Sequence, residues 1–168
     1  QKSLYPDLEV EENGETFGEN AYLKAKAVYE LSGRAAVADD SGLCVDALDG
    51  RPGVYSARYY GEDTPYPEKI SKLLEELRDV PEEKRTARFV SHICYLSETG
   101  ERVDIEQSCE GKIGFAPAGE GGFGYDPVFY VGERSFAQLA GEEKDAISHR
   151  GKALRELAAQ LERLYSKG

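Results

Sequence analysis

Positive charge is scarce in this 168-residue chain, where 21 lysines and arginines face 32 aspartates and glutamates for a formal charge of −11. Binding to polymeric nucleic acid rests on neutralising successive phosphates with Lys and Arg, so that class is disfavoured. A small anion needs only a local cluster of cations and stays open. Cysteine is also sparse. Cys44, Cys94 and Cys109 lie far apart with no C-x-x-C spacing, which argues against a zinc site or a disulfide framework and assigns them to packing in a reducing compartment. No apolar run approaches the ~20 residues of a membrane span, and Gln1-Lys2-Ser3-Leu4 carries no apolar signal stretch. The expected location is the cytoplasm. A G-x-x-x-x-G-K-[ST] phosphate loop is absent as well.

What is present suffices for one globular domain. With 40% hydrophobic residues, the chain can bury one substantial core, whereas two half-length domains would each be marginal. Residues 15–32 read as a helix: Phe17, Ala21, Val28 and Leu31 recur near the 3.6 period, Thr16 can cap the start, and Gly33 follows the end. The run Ala35-Ala36-Val37-Ala38, then Asp39-Asp40-Ser41-Gly42, then Leu43 to Leu48 reads as strand, polar turn, strand. Residues 49–66 form a long loop, after which Pro67 opens a second helix with Ile70, Leu73, Leu74 and Leu77 on its face.

From Ala87 to Gln107 the pattern is a hairpin turning at Glu98-Thr99-Gly100-Glu101, and its first strand is apolar on both faces, as expected when both are covered. A Gly-rich stretch, Gly119 to Gly124, leads to a strand over Val128–Val131. A final helix starts near Ser148 and carries Leu154, Leu157, Leu161 and Leu164 on one side. Hairpins mixed with helices imply an α/β fold, a mixed sheet flanked by helices, in one domain of two lobes.

Four segments carry candidate chemistry. In a strand, successive side chains alternate, so only one of Asp39 and Asp40 can face a site. The acidic run Glu11-Glu12-Asn13-Gly14-Glu15 precedes the first helix, and one of its members can join that acid in holding Mg²⁺, which favours one or two carboxylates, retained waters and phosphate oxygens. The segment Gly119 to Pro127 combines backbone freedom with two aromatics, so Phe123 or Tyr125 can stack on a planar base. Ser148-His149-Arg150, flanked by Lys144 and Lys152, offers donors and cations at a helix start. His92 lies within a strand and is assigned to packing.

Glu12-Asn13-Gly14-Glu15-Thr16-Phe17 with Glu19-Asn20-Ala21 and Lys24-Ala25, Ala38 to Leu43, Pro52 to Tyr59, Gly121 to Pro127, and Ser148 to Gly151 occur together in order. In this the sequence resembles the inosine triphosphate pyrophosphatase family, whose members convert ITP, dITP and XTP to the monophosphate and pyrophosphate. The resemblance spans residues 12–154. It implies that Glu12 and Asp40 hold the metal, with Asp40 also accepting the proton, and that Lys24 and Ser41 contact the triphosphate. It places Phe123, Gly124, Tyr125, Asp126, Lys144, His149 and Arg150 in the nucleotide and base site. Mg²⁺ as cofactor, a homodimer and an active site between two lobes are further implications. Family members open with a strand and a [ST]-x-N-x-x-K loop that cradles the triphosphate. This sequence begins beyond that point of the pattern, so a single domain over 1–168 without that strand and loop is expected. The competing expectations are a pyrophosphatase for other modified nucleotides and a catalytically silent nucleotide-binding protein.

Overall fold

Local capping sets the first element. In the computed structural model, which describes residues 14–166, Thr16 takes an extended backbone and its hydroxyl accepts from Glu19 N at 3.1 Å, starting helix α1 (Phe17–Ser32). Gly33 ends it in the left-handed conformation at φ 68°, donating to Tyr29 O at 2.8 Å. The buried stripe is Phe17, Asn20, Ala21 and Ala25. Leu31, expected on that face, is 57% exposed.

Strand β1 (Ala36–Val45) runs unbroken through Asp39-Asp40-Ser41-Gly42. The turn expected there does not form. Polar residues favour a turn only while no sheet partner competes, and here sheet pairing and burial on one face override the local preference. Helix α2 (Tyr66–Glu76) begins after an extended Pro65 with Pro67 in its first turn, and buries Lys69, Ile70 and Leu73. There follow β2 (Thr86–Leu96), β3 (Arg102–Ile113), β4 (Phe129–Val131), β5 (Arg134–Ser135), α3 (Gly141–Ile147) and α4 (His149–Ser166). Neither β5 nor α3 is legible in the hydrophobic pattern, since β5 has two residues and α3 is a short, charged helix of seven.

The five strands lie in chain order, β1-β2-β3-β4-β5. Asp46, just past the end of β1, accepts from Thr86 Oγ1 at 2.7 Å and Arg88 Nη1 at 2.9 Å at the start of β2, so those strands run oppositely. β3 and β4 pair antiparallel with Ile113 opposite Phe129, and β4 and β5 with Tyr130 opposite Ser135. The fold is α/β as expected, and the sheet among the described residues is antiparallel. Each connection, including the one containing α2, returns the chain in the opposite direction.

The chain divides into two compact units. The first comprises residues 1–41, 91–106 and 153–168, the second 42–90 and 107–152. In the first, β2 is covered on both faces. Cys94 and Leu96 pack under Ala21 and Ala25 of α1, while Ile93 and Tyr95 join Ile105, Ala153 and Leu157 beneath α4. In the second, Leu43, Val45, Ile70, Leu73 and Leu77 meet a cluster of Phe89, Phe129 and Phe136, whose ring centroids lie 4.5 to 5.6 Å apart. Arg85, 2% exposed, closes the end of α2 by donating to the carbonyls of Leu77, Val80 and Gly114. No helix among the described residues is long and apolar enough to cross a membrane. Cys94 and Cys109 are buried, and burial pushes the Cys94 thiol up to about 11, in keeping with a packing role.

On α4 the buried side chains include His149, Ala153 and Leu157 but not Leu154 and Leu164, which are 55% and 46% exposed. Leu157→Ala should therefore lower stability by about 2–5 kcal/mol, seen as a lower urea midpoint, and Leu154→Ala by less than about 0.5 kcal/mol. Equal losses would contradict this assignment of the helix face.

Candidate active site

Two clusters of polar side chains stand out, one in each unit. The first joins α1 to β1. Ala38 and Asp40 share the β1 face turned to α1, since side chains alternate along the strand and Ala38 packs with Ala21 and Ala25. Lys24, one turn after Ala21 and next to Ala25, extends its Nζ to Asp40 Oδ1 at 3.2 Å and to Asp39 O at 3.0 Å. The Asp40 side chain is 9% exposed and that of Lys24 27%, so the pair is shielded on the carboxylate side and open on the ammonium side. Alternation selects Asp40 over Asp39, as the sequence allowed. Ser41, half-buried, follows on the opposite face by the same alternation.

Glu12 lies outside the described residues. Among those described, no group of three or more His, Cys, Asp or Glu side chains is arranged to hold a metal. What Asp40 offers is one shielded hard-oxygen donor. That suits Mg²⁺, which binds through one or two carboxylates and completes its shell with water and substrate phosphate oxygens.

The second cluster is built on the Gly-rich loop. Asp126, 2% exposed, accepts from Phe123 N at 2.9 Å and Lys144 Nζ at 2.5 Å, folding the loop back on itself. Gly122 makes this possible. Its φ is +70°, and a Cβ there would sit 2.3 Å from Asp126 Oδ2. The result presents Phe123, 60% exposed, with Lys144 Nζ 4.4 Å and Arg150 Cζ 5.2 Å from its ring centroid. Tyr125 points the other way. It is 3% exposed, bonds Ser56 O at 3.2 Å and packs edge-on against Tyr66, so of the two aromatics only Phe123 is exposed. Gly124, at φ +61°, packs against Tyr66.

Ser148 ends α3 and caps α4, its hydroxyl accepting from Gly151 N at 3.0 Å. That corner buries His149, which stacks on Phe89 with centroids 4.9 Å apart. Burial, and then the nearby cations Arg150, Lys144 and Lys152, push its pKa down to about 3. The imidazole is therefore neutral near pH 7, with one N–H to donate and one nitrogen to accept, and its Nδ1 has no hydrogen-bond partner among the described residues. His92 is not simply packed. It bridges Asp104 at 2.8 Å and Glu106 at 3.4 Å across the hairpin, under Gly18.

Sequence reasoning overlooked Ser56 and Lys69. Ser56 Oγ accepts from Leu43 N at 2.9 Å and donates to Gly53 O at 2.6 Å, holding the 53–56 turn to β1. Lys69 is 1% exposed. Its signal was spacing, because it lies four residues before Leu73, on the apolar stripe of α2.

An α/β sheet protein with a shielded carboxylate–ammonium pair on one strand and a cation-flanked aromatic beside a helix start is the class these features define. The sequence profile of the Ham1 family matches residues 1–160, and the chain belongs to that family. It is 54% identical to a dITP/XTP pyrophosphatase from Geobacillus kaustophilus, over 97% of this chain and 82% of the relative. With a protein of the same name from Halalkalibacterium halodurans the identity is 49%, over 96% and 86%. Among solved structures, the Staphylococcus aureus Ham1 protein superimposes with a TM-score of 0.89 at 45% identity, over 95% of this chain and 83% of that one. A HAM1 protein from Coxiella burnetii gives 0.88 at 42%, over 93% and 81%.

The pH dependence of stability follows from His149. Its folded pKa lies below the ordinary 6.5, so between about 6.5 and about 3 the unfolded chain binds a proton that the folded chain does not. Stability due to this residue is full above that window and falls as pH falls through it. Urea titrations across the window should show wild type losing more stability on acidification than His149→Gln; parallel profiles would contradict the burial of a neutral ring.

Proposed function

We propose that this protein hydrolyses non-standard purine nucleoside triphosphates, of the ITP, dITP and XTP class, to the monophosphate and pyrophosphate, with Mg²⁺ as cofactor. The observation that carries the reading is the shielded Asp40 carboxylate held against Lys24, in a chain about half identical to proteins named dITP/XTP pyrophosphatase.

At the phosphate end, Lys24 keeps a cation beside Asp40 until a triphosphate offers its oxygens. The incoming anion draws the ammonium away and leaves Asp40 to orient the attacking water and accept its proton as pyrophosphate departs from the α-phosphorus. Glu12 and Asp40 would hold the metal, which when bound neutralises phosphate charge and makes water more acidic. An aspartate is a weak base, so its main contribution is orientation.

At the base end, Phe123 supplies the stacking face, and Asp126, Gly124 and Lys144 hold the loop in shape around it, with Tyr125 anchoring it from below. Arg150 and the neutral His149 donate to the purine 6-oxygen. Adenine carries an amino group at that position and leaves both donors unpaired. Sites built on a substrate hydrogen bond discriminate by about 10⁴-fold or more against an analogue that cannot make it. The working form is a homodimer in the cytoplasm, the first part of which sedimentation equilibrium tests directly.

A Mg²⁺-dependent assay on ITP, XTP, ATP and GTP that separates pyrophosphate from orthophosphate decides the reaction. Pyrophosphate from ITP and XTP but not ATP is expected, and orthophosphate alone would sink the reading. Asp40→Asn should lower kcat by roughly 100-fold or more, with near-normal turnover refuting its role. Arg150→Ala should collapse the ITP-to-ATP preference in kcat/KM; an unchanged ratio would remove Arg150 from base recognition.

A further inference from the structure

The two most buried cations in the second unit, Arg85 and Lys69, are used differently. Arg85 satisfies three backbone carbonyls around the end of α2 and is thereby a structural cap. Lys69 Nζ makes one hydrogen bond among the described residues, to Ala57 O at 2.5 Å, and lies 4.8 Å from the centroid of the Tyr66 ring. No carboxylate pairs with it in any described ion pair. Burying an ammonium is costly unless it is well compensated. Its neighbours Ile70 and Leu73 show that this stripe of α2 takes apolar side chains without that cost. A lysine here is a poor choice for core packing.

Its contacts close a ring. Lys69 holds Ala57, the residue after Ser56; Ser56 O accepts from the Tyr125 hydroxyl at 3.2 Å; the Tyr125 ring meets Tyr66 edge-on at 5.4 Å; and the Tyr66 ring faces Lys69 again. Tyr66 also lies against Gly124, where a Cβ would come within 3.6 Å of its ring. Three segments that are distant in sequence are thus tied at one place: the start of α2, the 53–58 turn and the Gly-rich loop. Ala57 is exposed, so water would satisfy its carbonyl if Lys69 did not. What the ammonium adds is a fixed position for the turn.

We propose that Lys69 is a positioning residue for purine recognition: by tethering Ala57 and Tyr66 it locks Tyr125, and through Tyr125 it holds the Gly121–Asp126 loop in the shape that presents Phe123. The inference rests on the assignment of that loop to the base site. Lys69 touches neither the base nor the reacting phosphate, so its loss acts on substrate capture and leaves the chemical step in place.

The test uses the full chain as Lys69→Met and Lys69→Arg beside wild type, with two readouts. In the ligand-free protein, amide hydrogen exchange within residues 121–126 should be about tenfold or more faster in Lys69→Met, with α1 unchanged, and Lys69→Arg should recover most of the protection. In steady state, KM for ITP should rise roughly 10- to 100-fold with kcat within a few-fold, and Lys69→Arg should reverse the change. Unchanged exchange in the loop, or a fall in kcat at constant KM, overturns the inference. If wild type releases no pyrophosphate from any purine triphosphate, the functional reading fails alone and the exchange comparison still decides the role of Lys69. Should Lys69→Met not fold, Tyr125→Phe opens the same ring at its far side, and normal loop protection in that variant equally overturns the proposal.

Discussion

Coverage of β2 on both faces is the constraint on which the first unit depends. Ile93 and Tyr95 turn to α4, and Cys94 and Leu96 to α1. Because side chains alternate, a slip of one residue would exchange the two sets and present each helix with the wrong surface. The helix on one side is also held close. It meets the strand through Ala21 and Ala25, whose small side chains set a short separation. That closeness lets Lys24, from the same helix, span to Asp40 on β1 at 3.2 Å. The polar pair is a consequence of how the apolar surfaces are matched.

The chain is strongly acidic, and the cations of its two polar clusters are kept where something offsets them. Lys24 rests on a carboxylate, while Lys144 rests on Asp126 and, with Arg150, beside the ring of Phe123. Each arrangement holds a positive charge in place at small cost, by an ion pair or by the negative face of an aromatic ring. The same crowding of cations, added to burial, keeps His149 neutral. One unit thereby offers a carboxylate and an ammonium suited to phosphate chemistry. The other offers an aromatic face with fixed hydrogen-bond donors suited to a planar base.

Several elements were legible because their signals are local. Thr16 and Gly33 bound α1 through hydrogen bonds within the helix itself, Pro67 opens α2, and Ser148 caps α4. The both-faces apolar run of β2 announced its two helical covers. Other readings failed where the decision is made at a distance. Asp39-Asp40-Ser41-Gly42 has the composition of a turn, yet sheet neighbours and an ammonium from α1 make it strand. Leu31, Leu154 and Leu164 satisfy a helical period but are exposed on α1 and α4. Phe123 and Tyr125 look alike in sequence. Only the fold sends one outward and the other to Ser56.

The amino-acid sequence by itself determined the bounds of α1, the start of α4 and the two-sided covering of β2, because capping and periodicity are properties of short stretches. The tertiary structure alone decided that Asp40 meets Lys24, that Asp126 folds the Gly-rich loop around Gly122, that His149 loses its charge, and that Lys69 is buried against Ala57. Each of these depends on a partner far along the chain. Ionisation, exposure and direction are set by the company a side chain keeps after packing, which no local pattern encodes.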